Sequence, residues 1–480
     1  MNPFADLWEL TSLSPAPVKI YPRSAKSLQE GFVCMADFGE FDALLYLGSG
    51  CPFHAAEAVT LSNGQALSRC DLTEENARIL RQLFPFTAPR PVLGEERTFG
   101  TGDRLGIATV GHIHAMEKFD VFPVLAQQSM RELRLMGNTY RNIIDRATFQ
   151  VFRENYQKGF GADGDHLKTA EEVRLALESG CTMITLDCSE HIHSPRLQEE
   201  MPLDPDLERL YLGKEFLVEG HTIRFDRAAL LEAQWVYSSA IAFARTIYLT
   251  CMADSAADLE ISIDETDTPT SPAQHFFVAC ELKRAGVCFR TVAPRFCGEF
   301  QKGIDYIGDL ATFDEEFRVH AAIARHFGYK LSIHSGSDKF AVYPAIGAGT
   351  QGRWHVKTSG TSWLEAVRLV AMKDPALFRE LYDYAQTQFQ SARAYYHVST
   401  ELEQVPRIHD LSDDRLPELL EDDHARQLMH IVYGKIFNEQ LGGGTYRFRN
   451  RLNRLLRTCH EDYSALLENH IGRHLGLLFK

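Results

Sequence analysis

Residues 161–169, GADGDHLKT, set two carboxylates, an imidazole and an ammonium within nine positions punctuated by two glycines. Carboxylates and imidazoles carry protons and bind cations, and an ammonium attracts anions, so this stretch suits proton transfer or metal-assisted chemistry. Gly161 and Gly164 let backbone approach a ligand closely. Asp163 and Asp165 bracket Gly164, so one can reach a site while the other serves the turn or the following helix. A polar turn ahead of a helix has the same composition, so partners from elsewhere in the chain must decide between the two readings.

Three further stretches offer partners: KLSIHSGSDK (330–339), RWHVKTSG (353–360) and ISIDETDTPTSP (261–272). Read as strands with period two, Leu331 and Ile333 share an apolar side and turn Ser332 and His334 to the opposite one. Trp354 and Val356 do the same for His355 and Lys357. Imidazoles His166, His334 and His355, from three strand ends, can hold a divalent cation with part of its coordination shell open. Lys168, Lys339 and Lys357 add positive charge for an anionic or polyhydroxylated ligand. Alternation points Asp264 inward, because Leu259, Ile261, Ile263 and Glu265 share the other side; a loop-fixing role for both carboxylates is the alternative.

These residues need elements that bring them together. β-rich runs at 104–110, 121–127, 159–165, 182–188, 259–265, 287–294, 330–336 and 353–359 alternate with amphipathic helices such as 169–180 and 271–286. Both helices open on a Thr or Ser cap and end at Gly. Eight such repeats predict an α/β chain with a (β/α)8 TIM-type barrel, whose catalytic groups sit on the C-terminal ends of the strands. A doubly wound sheet is the rival, without a G-x-G-x-x-G turn after the first strand to support it. The flanks read as an N-terminal α+β cap over 1–98 and a C-terminal helical region over 376–480. The barrel spans 99–375, with an insertion at 189–227 too long for an ordinary loop.

The 480 residues are 45% hydrophobic and 24% charged, the composition of a soluble globular protein. A formal charge of −15 argues against a nucleic-acid or anionic-membrane surface, while permitting a small basic pocket. No apolar run reaches the roughly 20 residues of a membrane span, and the first residues lack the blocks of a signal peptide. Ten cysteines without a C-x-x-C pair suit reduced thiols and a cytoplasmic setting. Two histidine pairs compete for the site: His112 and His114 in GHIHAM, and His191 and His193 in SEHIHS. The first resembles the metal-dependent hydrolases of the amidohydrolase type, but the later strands end in DET, PRF and KTSG, where that family needs histidines and an aspartate.

With these motifs in view, the chain resembles the tagaturonate/fructuronate epimerase family. The resemblance rests on FGADGDHLKT, ISIDETDTPTSP, RFCGEFQKGIDYIGDL, LSIHSGSDKFAVYPAIG and HVKTSGTSWLEA, which occur in that order over most of residues 100–370 when the first is followed by the others. It implies a metal-dependent barrel enzyme that interconverts D-tagaturonate and D-fructuronate, with relatives acting on tagatose and fructose. The inverted centre lies β to the ketone, so removal of an α-proton cannot epimerise it, whereas retro-aldol cleavage and re-addition can. By the resemblance, Asp165 accepts a proton and Glu265 is its counterpart, while His166, His334 and His355 hold the cation. Lys168, Gln301, Lys302, Asp338 and Lys339 bind substrate. Asp103 and Arg104 are weaker candidates, Arg104 lying at the wrong end unless the first strand starts earlier, and Glu299 has no assigned role. Zinc, nickel, cobalt, manganese and iron all suit imidazole ligands. A metal-dependent aldolase, a hydrolase and a non-catalytic sugar-binding protein are the competing classes. The ligand is a small keto-uronate or ketose rather than nucleic acid or membrane, and a homo-oligomer is compatible with the sequence.

Overall fold

The computed structural model describes residues 18–61, 63–195, 202–358 and 360–480. The leader-free reading of residues 1–17, part of the expected insertion at 196–201, and Ser359 of the KTSG motif lie outside the described residues.

The chain opens with an antiparallel sheet of β1 (Lys19–Leu28), β2 (Gly31–Asp37), β3 (Asp42–Gly48), β4 (Glu57–Thr60) and β5 (Ala66–Asp71), in the order β1-β2-β3-β5-β4. One face, with Val33, Met35, Leu44 and Cys70, packs on Leu80 of the helix Glu74–Leu83 and on Phe149 and Phe152 of the helix Tyr140–Glu154. Thr73 caps the first of these helices, its side chain accepting the Asn76 N–H.

Eight parallel strands then close into a barrel: β6 (Arg97–Thr101), β7 (Phe122–Ser129), β8 (Gly161–Leu167), β9 (Met183–Asp187), β12 (Asp258–Ile263), β13 (Thr291–Pro294), β14 (Lys330–Ile333) and β15 (Trp354–Thr358). β12 lies beside β9, and β15 returns to β6. Helices follow most of these strands, including Ala170–Glu178, Pro272–Arg284 and Leu310–Phe327. Ser271 and Gln274 make a reciprocal capping box at the start of the second. The expected (β/α)8 barrel is therefore the fold. Between β9 and β12 the chain adds the helix Pro205–Tyr211, the hairpin β10 (Glu215–Val218) and β11 (His221–Arg224), and the long helix Arg227–Ile247.

The first barrel strand departs from expectation. It occupies 97–101 rather than 104–110, and Thr109–Met116 is a helix carrying His112 and His114. Of RLGIATV, 104–108 form the loop after β6 and only Thr109 and Val110 enter the helix, whose segment TVGHIHAM is β-branched and apolar. Nearly all of it is buried, and a Cβ at Gly111 would meet Ser464 and Leu467 of the last helix. That two-sided burial is what a short all-apolar run does not reveal.

Most small barrels fill their interior with branched aliphatics. Here the column is polar. Thr98, Asp163, Thr185, Glu260, Thr291, Ser332 and His355 are buried, and most of them bond one another. Thr291 donates to Glu260 at 2.7 Å and Thr185 to Asp163 at 3.0 Å. The apolar side of each strand faces the helices, as with Leu331, Ile333, Trp354 and Val356 in the main core.

The C-terminal helices form their own core of Leu381, Phe389, Leu428 and Phe437. The last helix, His460–Leu478, lies against the barrel through Ile471, Leu475 and Leu478. No helix among the described residues is long and apolar enough to cross a membrane.

Candidate active site

Residues 163–166 reach the site through a break in the strand. The register between β8 and β9 shifts between Gly164 and Leu167, and His166 has φ 53°. Regular alternation would send Asp165 inward and His166 toward the helices. A bulge with one residue in the left-handed region re-aims the side chain, a local strain that marks functional positions. Both groups consequently line the cavity at the C-terminal mouth of the barrel.

His334 follows directly on β14. Its Nε2 lies 2.7 Å from Glu260 Oε1, and its Nδ1 is 3.2 Å from Asp264 Oδ1. The His166 ring stands 4.9 Å from that of His334, with its Nδ1 2.8 Å from Asp165 Oδ1. His334 thus has a carboxylate at each ring nitrogen, and His166 has one held by Asp165 and the other facing the cavity near Glu265. Donor atoms of His166, Asp264 and His334 all lie within 4.8 Å of one another. A metal-bound histidine commonly donates its remote N–H to a carboxylate, which fixes the tautomer, and this donor set fits a divalent cation in that way. The field points the same way. Burial alone would depress the His334 imidazole, but Asp264 and Glu260 outweigh it and raise it to about 10, so positive charge is favoured between them. Burial would raise Asp264 too, and His334 with His166 instead holds it well below the ordinary range.

Below this cluster the Lys357 ammonium is 2.7 Å from Asp163, 2.5 Å from Asp165 and 3.4 Å from Glu260. Burial would raise the Asp165 carboxyl, but Lys357 and His166 keep it ionised. Both contacts fall on Oδ1, so its second oxygen remains to take a proton. Glu265, by contrast, is half exposed, with Oε1 3.9 Å from His166 Nε2. Asp165 and Glu265 therefore flank the two nitrogens of one ring.

The cavity measures about 920 Å³ and carries cations on its outer wall. Lys168 pairs with Asp187 at 3.5 Å and Glu190 at 3.3 Å. Arg104 donates Nε and Nη2 to Glu132, lies 3.9 Å over the Tyr433 ring, and keeps Nη1 buried without a partner among the described residues. Because β6 ends at Thr101, Arg104 sits at the catalytic end of the barrel. Lys302 donates to Ser335 Oγ at 2.8 Å, and among the described residues no carboxylate is within ion-pair range of it. Burial pulls its ammonium below the ordinary lysine range. Gln301 lines the same wall, its carbonyl oxygen accepting from Ser399 N–H and Gln427.

Three expected site residues lie elsewhere. His355 has the correct inward parity, but it sits two residues below Lys357, and its Nδ1 is 2.9 Å from Thr98 Oγ1 in the barrel floor. Asp264 takes the third place near His166 and His334. Asp338 and Lys339 are buried and absent from the cavity wall. Lys339 donates to the carbonyls of Gln301, Ile304 and Ser337, shaping the loop that presents Lys302. Asp338 is held by Arg426 and His470, and its N–H donates to His474. The competing histidines serve structure. His112 bonds Ser362 and His114 bonds Glu154, while His191 stacks on Phe243 and His193 on Trp235.

Sequence reasoning passed over Glu260, which shares the inward parity of Asp264, and the wall residues Tyr395, Tyr396 and His397. No local signal ties those last three to a barrel mouth. Glu299, left unassigned, also lines the cavity and pairs with His397 at 3.2 Å.

Comparison with known proteins bears on this arrangement. A family model described as tagaturonate epimerase matches residues 21–478. The tagaturonate/fructuronate epimerase of Thermotoga maritima is 43% identical over 428 residues, 87% of this chain and 88% of the relative. The native crystal structure of fructuronate-tagaturonate epimerase from Cohnella laeviribosi superposes with a TM-score of 0.94 at 46% identity, covering 98% of each chain. A glycerol complex of the same Cohnella enzyme gives 0.93 at the same identity and coverage. Matched along nearly its whole length, in sequence and in fold, the chain belongs to the tagaturonate epimerase family.

Proposed function

We propose that this chain interconverts D-tagaturonate and D-fructuronate by breaking and remaking one C–C bond, with a divalent cation held by His166, Asp264 and His334. The observation that carries the reading is the meeting of those three donors at the barrel mouth, with Asp165 and Glu265 on either side of one ring. Such a cation supplies Lewis-acid stabilisation to oxygens that gain negative charge.

The protein groups do the rest. Ionised Asp165 takes the proton from the hydroxyl on the carbon to be inverted. The bond from that carbon toward the ketone then breaks, its electron pair passing to the ketone fragment as an enediolate and leaving an aldehyde on the fragment that bears the carboxylate. Rotation of the aldehyde exposes its other face, the enediolate adds back to re-form the bond, and Glu265, entering the step protonated and open to the cavity, gives its proton to the new alkoxide. Lys357 keeps Asp165 ionised and aimed. Lys302, a cation without a carboxylate partner among the described residues, holds the acid group of the substrate, with Arg104 and Lys168 adding positive charge to the same cavity. Removal of a general base costs ~10²–10⁴-fold. Asp165→Asn is therefore expected to lose turnover to that extent while retaining metal, and Asp264→Asn to lose metal. His355→Ala is expected to keep both metal and the cluster geometry. Metal analysis beside an assay of both keto-uronates checks this, and metal lost from His355→Ala but not from Asp264→Asn would reject the ligand set.

A further inference from the structure

The chemistry above uses none of the ten cysteines, all of which are free. Two of them are neighbours. The sulfurs of Cys51 and Cys70 are 3.8 Å apart in the N-terminal sheet. Cys70 lies within β5, buried, opposite Leu44 of β3. Cys51 is half-buried on the loop after β3, where Gly50 turns the chain at φ 64°.

The surroundings of the two thiols differ. Cys51 shares a thiol–thiol hydrogen bond with Cys70, and that contact, with help from Phe53 and Ser68, holds the Cys51 thiol below its ordinary range against the effect of burial. Cys70 is raised by its bond to Cys51 and by burial. A half-buried sulfur on a loop, with a second, buried thiol 3.8 Å behind it, is the arrangement of an attacking and a resolving cysteine. Neither residue touches the catalytic cavity.

We propose that Cys51 and Cys70 form a dithiol that hydrogen peroxide oxidises to an intramolecular disulfide. The Cys51 thiolate attacks the O–O bond and becomes a sulfenic acid, and the expelled hydroxide takes up a proton to leave as water. The Cys70 thiol gives up its proton and attacks the Cys51 sulfur, forming the S–S bond and releasing a second water. Two thiols are oxidised by two electrons in total, and the peroxide is reduced. Closing the sulfurs to the ~2.05 Å of a disulfide falls to the loop that carries Cys51.

The test treats the full chain with hydrogen peroxide at pH 7, blocks remaining thiols by alkylation, and maps peptides by mass. A Cys51–Cys70 cross-link is expected as the first product. It should form roughly tenfold faster than the exposed Cys288 is lost, because the resolving thiol stands at contact distance, and be reversed by dithiothreitol. Cys70→Ala should stop the reaction at a Cys51 sulfenic acid that dimedone captures. If that buried variant does not fold, Cys51→Ser on the loop should abolish the fast phase. Equal rates at Cys51 and Cys288, a fast phase that survives Cys51→Ser, or a Cys51 sulfenic acid that accumulates in the unaltered protein would each overturn the proposal.

Discussion

His166, Asp264 and His334 converge because three different local devices point them the same way. Alternation along the strand turns Asp264 inward, His334 stands one residue beyond β14, and a left-handed residue at the bulge brings in His166. Only the first two are legible from period-two patterning. The same parity also selected His355, which the structure places two residues below Lys357 against Thr98, because parity gives the side of a strand but not the depth along the barrel axis. Lys302 shows what charge bookkeeping adds. An ammonium at the edge of a cavity, bonded to one hydroxyl and, among the described residues, to no carboxylate, is a cost that an anionic ligand removes. A charge-assisted hydrogen bond contributes about 1.5–3 kcal/mol, so Lys302→Met should lower kcat/KM for either keto-uronate by roughly 10–100-fold. Turnover of tagatose or fructose, where present, should hardly change. The carboxylate belongs to the aldehyde fragment, so the variant should also release three-carbon acid aldehyde, detectable by trapping with a hydrazine. Equal losses for acid and neutral sugars would remove Lys302 from this role.

The alternation of strands and helices was readable from caps, glycines and apolar periodicity, and seven of the eight barrel strands fall close to where those signals put them. The exception, β6, is five residues long and contains a glycine, while the apolar helix that follows looks more like a strand than the strand itself. Which strand carries which charge on the barrel floor was not readable. Lys330 opens β14, and its buried Nζ donates to Glu95 O at 2.5 Å and Thr98 Oγ1 at 3.1 Å. Burial drops its pKa to about 7. Between pH 7 and the unfolded value near 10.4, the unfolded chain binds a proton that the folded chain does not. Stability from this group therefore rises with pH across that window, and the cost is fully present below pH 7. Between pH 7 and 9 the unaltered protein should gain about 2 kcal/mol relative to Lys330→Met. Denaturant titrations of both at the two pH values measure the difference, and parallel pH profiles would mean that Lys330 stays protonated in the fold.

At the scale of the whole chain, the helices after β15 belong to the site as much as the barrel does. Arg426 and His470 hold Asp338 on the loop that starts at His334, and Tyr395, Tyr396 and His397 line the cavity. A residue such as Asp338 looks like a ligand in its own motif, and becomes a latch only when chain more than 80 positions later folds over it. A cation at the proposed site, by contrast, would not be what holds the barrel closed. Lys357 and His334 already pair with Asp163, Asp165 and Glu260 from within, and the strands around them are paired on both sides. Removing the metal should consequently abolish turnover while leaving secondary structure intact. Ligand binding to the native state alone adds RT ln(1 + [L]/Kd), about 2.7 kcal/mol at 100 times Kd. For a chain of this size that corresponds to a shift in Tm of no more than a few degrees. Chelation followed by dialysis should give a far-ultraviolet circular dichroism spectrum superposable on that of the loaded protein, with Tm lowered slightly and recovered in proportion to added metal. Cooperative unfolding on chelation at room temperature would show instead that the charges around Lys357 do not balance without the ion.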